Sequence, residues 1–119
     1  MELKITIDNQ KFTAKLPETS SVWQLSEYLP ISETFQRSGD HEFFCRLDRG
    51  INVRGMEETS DIHAGGIYYF DAWKAISFVY KDMSISPYQV VWLGDFEEDV
   101  RPVLAAAKNK IAVELEVSE

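Results

Sequence analysis

The stretch from Gly65 to Leu93, GGIYYFDAWKAISFVYKDMSISPYQVVWL, decides the fold of this chain. Its apolar runs at 67–70, 76–80 and 88–93 are separated by turn-forming residues, which predicts three strands joined by two turns. The run at 67–70 is apolar on both faces, and strands of this kind are covered on both sides. In one small domain, that pattern predicts a barrel interior on one side and a helix or loop on the other.

The N-terminal residues predict a β-hairpin. In 3–7 and again in 12–16, apolar residues alternate with Lys and Thr, which is the period of a strand with one buried face. Asp8-Asn9-Gln10 joins the two runs, and Asn and Asp tolerate the positive φ angles of a tight turn. Pro17 is expected to end the second strand because it has no N–H to donate to the ladder.

A short helix is predicted over 22–29. Ser21 and Gln24 have capping-box spacing, so each side chain can satisfy a free amide at the helix start. Trp23 is assigned to the buried stripe of this helix, and Pro30 ends it. A helix of two turns depends on packing for its stability.

A second short helix is predicted from 97–99 to Lys108. The acidic residues at 97–99 suit the positive end of the helix dipole, and Pro102 is tolerated in a first turn. Asn109 is expected to cap the helix in a left-handed conformation. Alternating residues at 111–117 predict the final strand.

The remaining strands are predicted at 33–37 and 43–48, whereas 49–64 has no clear period. Irregular connections of this length carry function more often than short turns do. The chain thus has about eight strands and two short helices. The predicted fold class is mainly β, a closed eight-stranded antiparallel barrel that spans residues 1–119 as a single domain.

The amino-acid composition and the N-terminal sequence limit the binding partners, the disulfides and the location that can be expected. The net charge of −8 argues against binding to nucleic acid or to anionic membrane surfaces, since both need a basic patch. The single cysteine, Cys45, excludes an internal disulfide. The N-terminus begins with strand alternation and has no secretory signal pattern, so a cytoplasmic location is expected.

These features resemble the bacterial cyclophilin-like domain proteins, a family of small closed barrels with the cyclophilin topology. The resemblance is carried by GIYYFDAW at 66–73, ISFVY at 76–80 and VVWLG at 90–94. The family commonly shows a Gly-Asp-Ile-x-Tyr-Tyr-x-x-Trp strand and turn, an aliphatic-Phe-Tyr strand and an apolar strand ending in Leu-Gly. Gly66 stands where the family often has Asp. The similarity covers nearly the whole chain and implies a cyclophilin-like barrel without implying a particular reaction.

The resemblance also raises the question of prolyl isomerase activity. True cyclophilins are peptidyl-prolyl isomerases with a Phe-His-Arg segment, whose Arg stabilises the twisting amide, and a downstream Gln-Gly-Gly-Asp segment. Phe35-Gln36-Arg37 is a partial match to the first segment. Gly65-Gly66 does not match the second, because it lacks the preceding Gln and lies too far along the chain.

Three arginines are candidates for a functional site: Arg37, Arg46 and Arg54. A fixed guanidinium can stabilise a developing negative charge, so Arg37 and Arg46 are the candidate catalytic residues if the chain is an isomerase. The alternative for each is a surface arginine paired with one of the many carboxylates.

Aromatic residues form the second set of candidates, because aromatic pockets bind prolines and planar ligands. Trp73 is the strongest, since a tryptophan in a turn has less reason to serve packing. For Phe78, packing in the core is the preferred interpretation. The predicted ligand-binding aromatics are Tyr69, Trp73, Tyr80 and Trp92.

The remaining candidates are two histidines and the cysteine. His41 and His63 can each titrate near neutrality, and His63 is included among the ligand-binding residues. No second histidine lies at metal-ligand spacing, so no metal and no cofactor are predicted. Cys45 alternates with Phe43 and Leu47, which indicates a buried, unreactive thiol.

Three hypotheses follow. The first is a non-catalytic barrel that binds a small molecule or a peptide in a groove formed by Trp73, Tyr69, Tyr80 and the 49–64 loop. The second is a prolyl isomerase with a remodelled site that uses Arg37 or Arg46. The third is a partner-binding module that works beside an enzyme. The sequence leaves the oligomeric state open.

Overall fold

The computed structural model describes residues 1–118 of the chain. Its strands, numbered in chain order, are β1 Glu2–Ile7, β2 Gln10–Lys15, β3 Ile31–Ser38, β4 Glu42–Arg46, β5 Glu58–Thr59, β6 Asp61–Ile62, β7 Gly66–Phe70, β8 Ala75–Val79, β9 Met83–Ser84, β10 Val90–Phe96 and β11 Lys110–Val117. The helices are α1 Ser20–Glu27 and α2 Arg101–Ala106, with a single 3₁₀ turn at Asp71–Trp73.

Eight of these strands close an antiparallel barrel, as the sequence predicted. The order around the barrel is β2-β1-β11-β3-β4-β8-β7-β10, and β10 returns to pair with β2. The closing pairs are Asp95 with Lys15 and Phe96 with Ala14. Closure leaves these strands without a long free edge, while the two-residue strand β5 adds to the other half of β10.

The barrel interior is filled by the alternating residues of each strand. β1 contributes Leu3, Ile5 and Ile7, all almost completely buried, and the hairpin to β2 turns through Asp8 and Asn9 at positive φ, as predicted. Both helices place residues in the same core, Val22 and Leu25 from α1 and Leu104 from α2. The helices therefore cover apolar barrel residues that would otherwise face water.

A second, smaller apolar cluster lies on the outer face of the barrel. Tyr68, Val79 and Val90 project outward from β7, β8 and β10, and Ile62 covers them. Ile62 belongs to β6, which pairs with β9 in a separate two-stranded sheet. The strand β7 is thus buried on both faces, as its sequence predicted, and β8 is buried on both faces as well.

The structure corrects several details of the predicted elements around α1. The helix covers 20–27 and its N-cap is Thr19, whose Oγ1 accepts a hydrogen bond from Val22 N–H at 3.1 Å. Ser21 lies inside the helix and donates to the carbonyl of Asn52. Trp23 is 52% exposed, so it is not part of the buried stripe.

Two further corrections concern the C-terminal part of the chain. The strand predicted from the apolar run at 88–93 does not end at Leu93, because β10 continues to Phe96 after an irregularity in register between Trp92 and Gly94. A Cβ atom at Gly94 would lie 2.4 Å from the Lys15 carbonyl oxygen, so glycine permits the close approach at the barrel seam. Asn109 does not adopt a left-handed conformation.

Candidate functional site

A groove of about 430 Å³ lies on the outer face of β4, β8 and β7. Ala75 and Ser77 are the outward residues of β8 that line the groove. Ala75 pairs with Phe70 of β7, and Ser77 pairs with Phe44 of β4. The small side chains between two large ones leave a trough along the sheet. The groove therefore follows directly from the alternation of β8, whose inward residues Ile76 and Phe78 fill the core.

Two exposed aromatic residues extend this groove above the sheet. Trp73, in the 3₁₀ turn after β7, is 49% exposed, and its ring centroid lies 5.9 Å from that of Phe44 and 5.6 Å from that of Phe70. Tyr88 is 62% exposed and makes an edge contact with Phe70 at 6.1 Å. Large apolar surface left open beside an apolar floor is a feature of interaction sites.

One end of the groove is polar and is formed around Glu42, which lies two residues before Phe44 on the same face of β4. Ser38, His41 and Glu42 line it. Burial raises the pKa of the Glu42 carboxyl from about 4.5 to about 7. Burial also lowers the pKa of His41, whose Nε2 lies 3.5 Å from Glu42 Oε1. A carboxyl group with a raised pKa in a cleft is a candidate functional group.

The arginines predicted from sequence occupy three separate places. Arg46 projects from the outer face of β4, and its guanidinium carbon lies 5.0 Å from the ring centroid of Trp73, so it adjoins the groove. Arg54 is exposed on the loop after β4, and its N–H donates to the side chain of Asn52. Arg37 lies at the end of β3, where α2 ends.

The guanidinium of Arg37 is fully engaged in holding α2 against the barrel. It lies over the Phe43 ring at 4.6 Å. Its donors reach the Tyr80 hydroxyl, the Asn109 side chain, and the carbonyls of Leu104, Ala107 and Lys108. These carbonyls lie in the last turn of α2 and just after it, where carbonyl groups lack a full set of intrahelical partners. The structure therefore gives Arg37 the role of a helix cap.

Tyr69 and Tyr80, which the sequence placed in a ligand groove, face the barrel interior. Tyr69 is completely buried and its hydroxyl accepts the Ile51 N–H, and Tyr80 is 3% exposed. The predicted groove of Trp73, Tyr69, Tyr80 and the 49–64 loop is corrected accordingly. Side chains alternate along β7, so Tyr69 points into the barrel and Phe70 points outward. Phe70, and not Tyr69, therefore lines the groove.

The sequence model of the cyclophilin-like family matches residues 5–116 of the chain. The chain belongs to the cyclophilin-like family. The solution structure of the hypothetical protein AF2241 from Archaeoglobus fulgidus is similar to this cyclophilin-like chain, with a TM-score of 0.69. The two sequences are 22% identical, and the match covers 99% of this chain and 95% of the archaeal one. This likeness shows the barrel fold.

None of the proteins of curated function matches this cyclophilin-like chain. Among residues 1–118, no helix combines the length and apolar character that crossing a membrane requires. The fold is thus established by the family and by the structure, and the groove is the basis for an argument about function.

Two other predicted residues of the cyclophilin-like chain meet at a different place, around Asp95. His63 Nε2 lies 2.5 Å from Asp95 Oδ1, and Trp92 Nε1 donates to the same oxygen at 3.0 Å. The hydroxyl of Tyr68 lies 3.0 Å from His63 Nδ1 and accepts the His63 N–H. With its ring held on both sides, His63 connects the loop before β7 to β10.

A shallow depression of about 660 Å³ adjoins this cluster and includes Trp92 and Asp95. It is larger than the Trp73 groove, but charged residues surround it, and Lys15 and Glu97 there already pair at 3.1 Å. The Trp73 groove has an apolar floor and exposed aromatic side chains, which are the usual lining of a ligand site. We therefore take the Trp73 groove as the candidate site.

Sequence reasoning found Trp73 and Arg46 in this region and missed Glu42, Phe44, Phe70 and Tyr88. The signal that could have found Phe44 and Glu42 was the alternation of β4, which places Phe43 and Cys45 inside. Cys45 is indeed buried, and burial raises the pKa of its thiol to about 11.

Proposed function

We propose that this cyclophilin-like protein is a binding module that holds the apolar or aromatic part of a small molecule or a peptide in the Trp73 groove. The observation that carries the proposal is the open position of Trp73 and Tyr88 on either side of Phe70, above a floor of small residues. An aromatic group on a ligand gains both apolar burial and favourable ring contacts there.

The structure around Trp73 supports a site that is formed before the ligand arrives. The 3₁₀ turn ends at Lys74 in a left-handed conformation, and Leu47 N–H donates to the Lys74 carbonyl at 2.8 Å. The Tyr88 carbonyl accepts a hydrogen bond from Ser60 Oγ at 2.7 Å. These hydrogen bonds fix the backbone that carries both aromatic residues, which lowers the conformational entropy that binding must overcome.

The isomerase alternative rests on the fold and on Arg46. Arg37 is the better match to the cyclophilin Phe-His-Arg segment, but its guanidinium N–H groups donate to the Tyr80 hydroxyl and to the Ala107 carbonyl after α2. Arg46 is exposed beside Trp73, so its guanidinium is the one that could contact a peptide bound in the groove. We favour binding without catalysis, because the groove is lined mostly by apolar and aromatic side chains and the Arg46 guanidinium lies over the Trp73 ring.

The three tryptophans give a direct test by ¹H–¹⁵N NMR, because each indole N–H has its own signal. A panel of small aromatic compounds and short proline-containing peptides is titrated into the labelled protein. We expect some members to shift the Trp73 indole signal and to leave that of Trp23, which lies on α1, unchanged.

Trp73→Ala should weaken binding of those members about tenfold or more, as loss of an aromatic anchor does. Trp23→Ala is the matched control, because Trp23 is equally exposed and lies outside the groove. If no member of the panel shifts Trp73 at millimolar concentration, or if Trp73→Ala leaves affinity unchanged, the proposal is wrong.

A further inference from the structure

Glu42 is the acidic group of the Trp73 groove, and its carboxyl lies at the polar end. Its side chain is 20% exposed. Within residues 1–118, its only partner at ion-pair distance is His41, at 3.5 Å. The carboxyl is therefore partly buried, open to the groove and without a cationic partner among these residues, and a partly desolvated carboxylate gains from pairing with a cation.

The groups that surround Glu42 do not neutralise it. Burial lowers the pKa of His41, so this ring is neutral at pH 7. Lys81, on the loop after β8, is occupied by Asp40, with 3.0 Å between Nζ and Oδ2. Arg46, farther along β4, stacks on Trp73.

The neighbouring strands bring no further charge to the groove. Ser38 of β3 pairs with Glu42 in register, and on the other side Glu42 pairs with Val79 of β8. The residues that line the rest of the groove are apolar, aromatic or serine. The positive charge that would balance an ionised Glu42 is therefore not supplied by the described part of the chain.

We infer that the Trp73 groove binds an organic ammonium compound, with its cationic nitrogen at Glu42 and its apolar part against Phe44, Phe70 and Trp73. The carboxylate supplies a charge-assisted hydrogen bond in a partly desolvated site. The electron-rich faces of the aromatic rings add cation–π attraction to a nearby ammonium group. This inference rests on the proposed function and adds the chemical class of the ligand.

Binding of a cation has a predictable effect on protons. The pKa of Glu42 is raised to about 7 by burial, so about half of the empty sites hold a proton at that pH. An ammonium group favours the ionised carboxylate, so its binding releases the proton to solvent. The affinity for an amine should therefore fall as the pH is lowered from 8 to 6.

The test uses three probes of the same shape and different charge: 2-phenylethylamine, 2-phenylethanol and phenylacetate. Affinities are measured at pH 7.5 by NMR titration of the Trp73 indole signal. We expect the amine to bind about tenfold more tightly than the alcohol, which corresponds to one partly screened ion pair, and the anion to bind most weakly.

Glu42→Gln should reduce the affinity for the amine to that for the alcohol and leave the alcohol unchanged. Glu57→Gln, at an exposed acidic residue of the loop after β4, is the control for loss of net charge alone. Calorimetry of the amine in two buffers of different ionisation enthalpy should show proton release in the wild-type protein and none in Glu42→Gln.

The outcomes separate this inference from the proposed function. Equal affinities for amine and alcohol, both reduced by Trp73→Ala, would overturn the cation inference and leave the binding function standing. Tighter binding of the alcohol as the pH falls would also overturn it, because the protonated Glu42 would then be acting as a donor to a neutral ligand. If none of the probes shifts the Trp73 signal, both proposals fail.

Discussion

The hydroxyl of Tyr69 accepts a hydrogen bond from the Ile51 N–H at 2.9 Å, and both residues are buried. The contact joins the middle of the barrel to the loop that follows β4. Next to it, the Gly50 carbonyl accepts a hydrogen bond from the Tyr28 hydroxyl at 2.7 Å. Two tyrosine hydroxyls thus hold the start of a loop that has no regular structure of its own.

Tyr69→Phe should destabilise the protein by about 1–3 kcal/mol, because the buried Ile51 N–H loses its partner. Urea denaturation followed by circular dichroism measures the change. Tyr88→Phe is the control, since its ring is exposed and no side-chain hydrogen bond of its hydroxyl is found in residues 1–118. Equal stability of wild type and Tyr69→Phe would show that the loop finds another acceptor.

Arg37→Lys should cost about 2 kcal/mol or more, although it keeps the charge. A lysine ammonium cannot reach the several acceptors that the guanidinium bridges, and buried acceptors left unpaired are costly. Arg46→Lys, on the exposed face of β4, should change stability by less than about 0.5 kcal/mol. Similar unfolding midpoints for Arg37→Lys and Arg46→Lys would show that Arg37 does not stabilise the protein by capping α2.

We expect the protein not to accelerate cis–trans exchange of an Ala-Pro peptide, because Arg37 is occupied by α2 and Tyr80. Exchange NMR of a labelled peptide, with and without the protein, makes this measurement. Faster exchange that disappears in Arg46→Ala would instead establish the isomerase alternative and identify Arg46 as its guanidinium.

The stability of the protein should depend on the ionisation of Glu42. Its pKa is about 7 in the folded state and about 4.5 ordinarily, so between these values the folded state binds more protons than the unfolded state. Stability contributed by the protonated group is therefore lost as the pH rises from about 4.5 through 7. The loss is at most about 3 to 4 kcal/mol, given 1.36 kcal/mol for each pKa unit.

Glu42→Gln should abolish this loss, so the variant should be more stable than wild type at pH 8 and closer to it at pH 5. Denaturation at a series of pH values gives the difference between the two proteins. His41 has the opposite sign, since its lowered pKa reduces stability below about pH 6.5. Because His41 lies 3.5 Å from Glu42, the same comparison is made in a His41→Gln background, where only Glu42 titrates. A difference that is constant across this range would contradict the buried position of Glu42.

Cys45 should react with thiol reagents only when the protein unfolds. Its side chain faces the barrel interior and burial raises the pKa of the thiol to about 11, so little thiolate forms at pH 8. Labelling with a disulfide reagent in native buffer and in urea measures the rates. Rapid labelling of the native protein would show that β4 opens locally.

Periodicity in the sequence determined most of the barrel. The alternation of Leu3, Ile5 and Ile7 and that of the final strand identified one buried face, and the doubly apolar run at 67–70 correctly predicted a strand covered on both sides. These patterns are local, because the side-chain direction in a strand changes with every residue. The family match over residues 5–116 agrees with the same architecture.

The candidate site depended on tertiary structure. Trp73 could be identified because a tryptophan in a turn is unusual, and it does lie at the groove. Its neighbours Phe44 and Tyr88 come from strands and loops distant in the sequence. Tyr69 could not be separated from Phe70 until the register of β7 against β8 and β10 was known.

The same limit applies to charge. The sequence does not show that the Arg37 guanidinium caps a helix some 70 residues away. Nor does it show that the Glu42 carboxyl faces an apolar groove and has no cationic partner among residues 1–118. Secondary structure follows from the neighbours of a residue along the chain. Burial and pairing follow from whichever strands close the barrel beside it, and only the folded structure decides that.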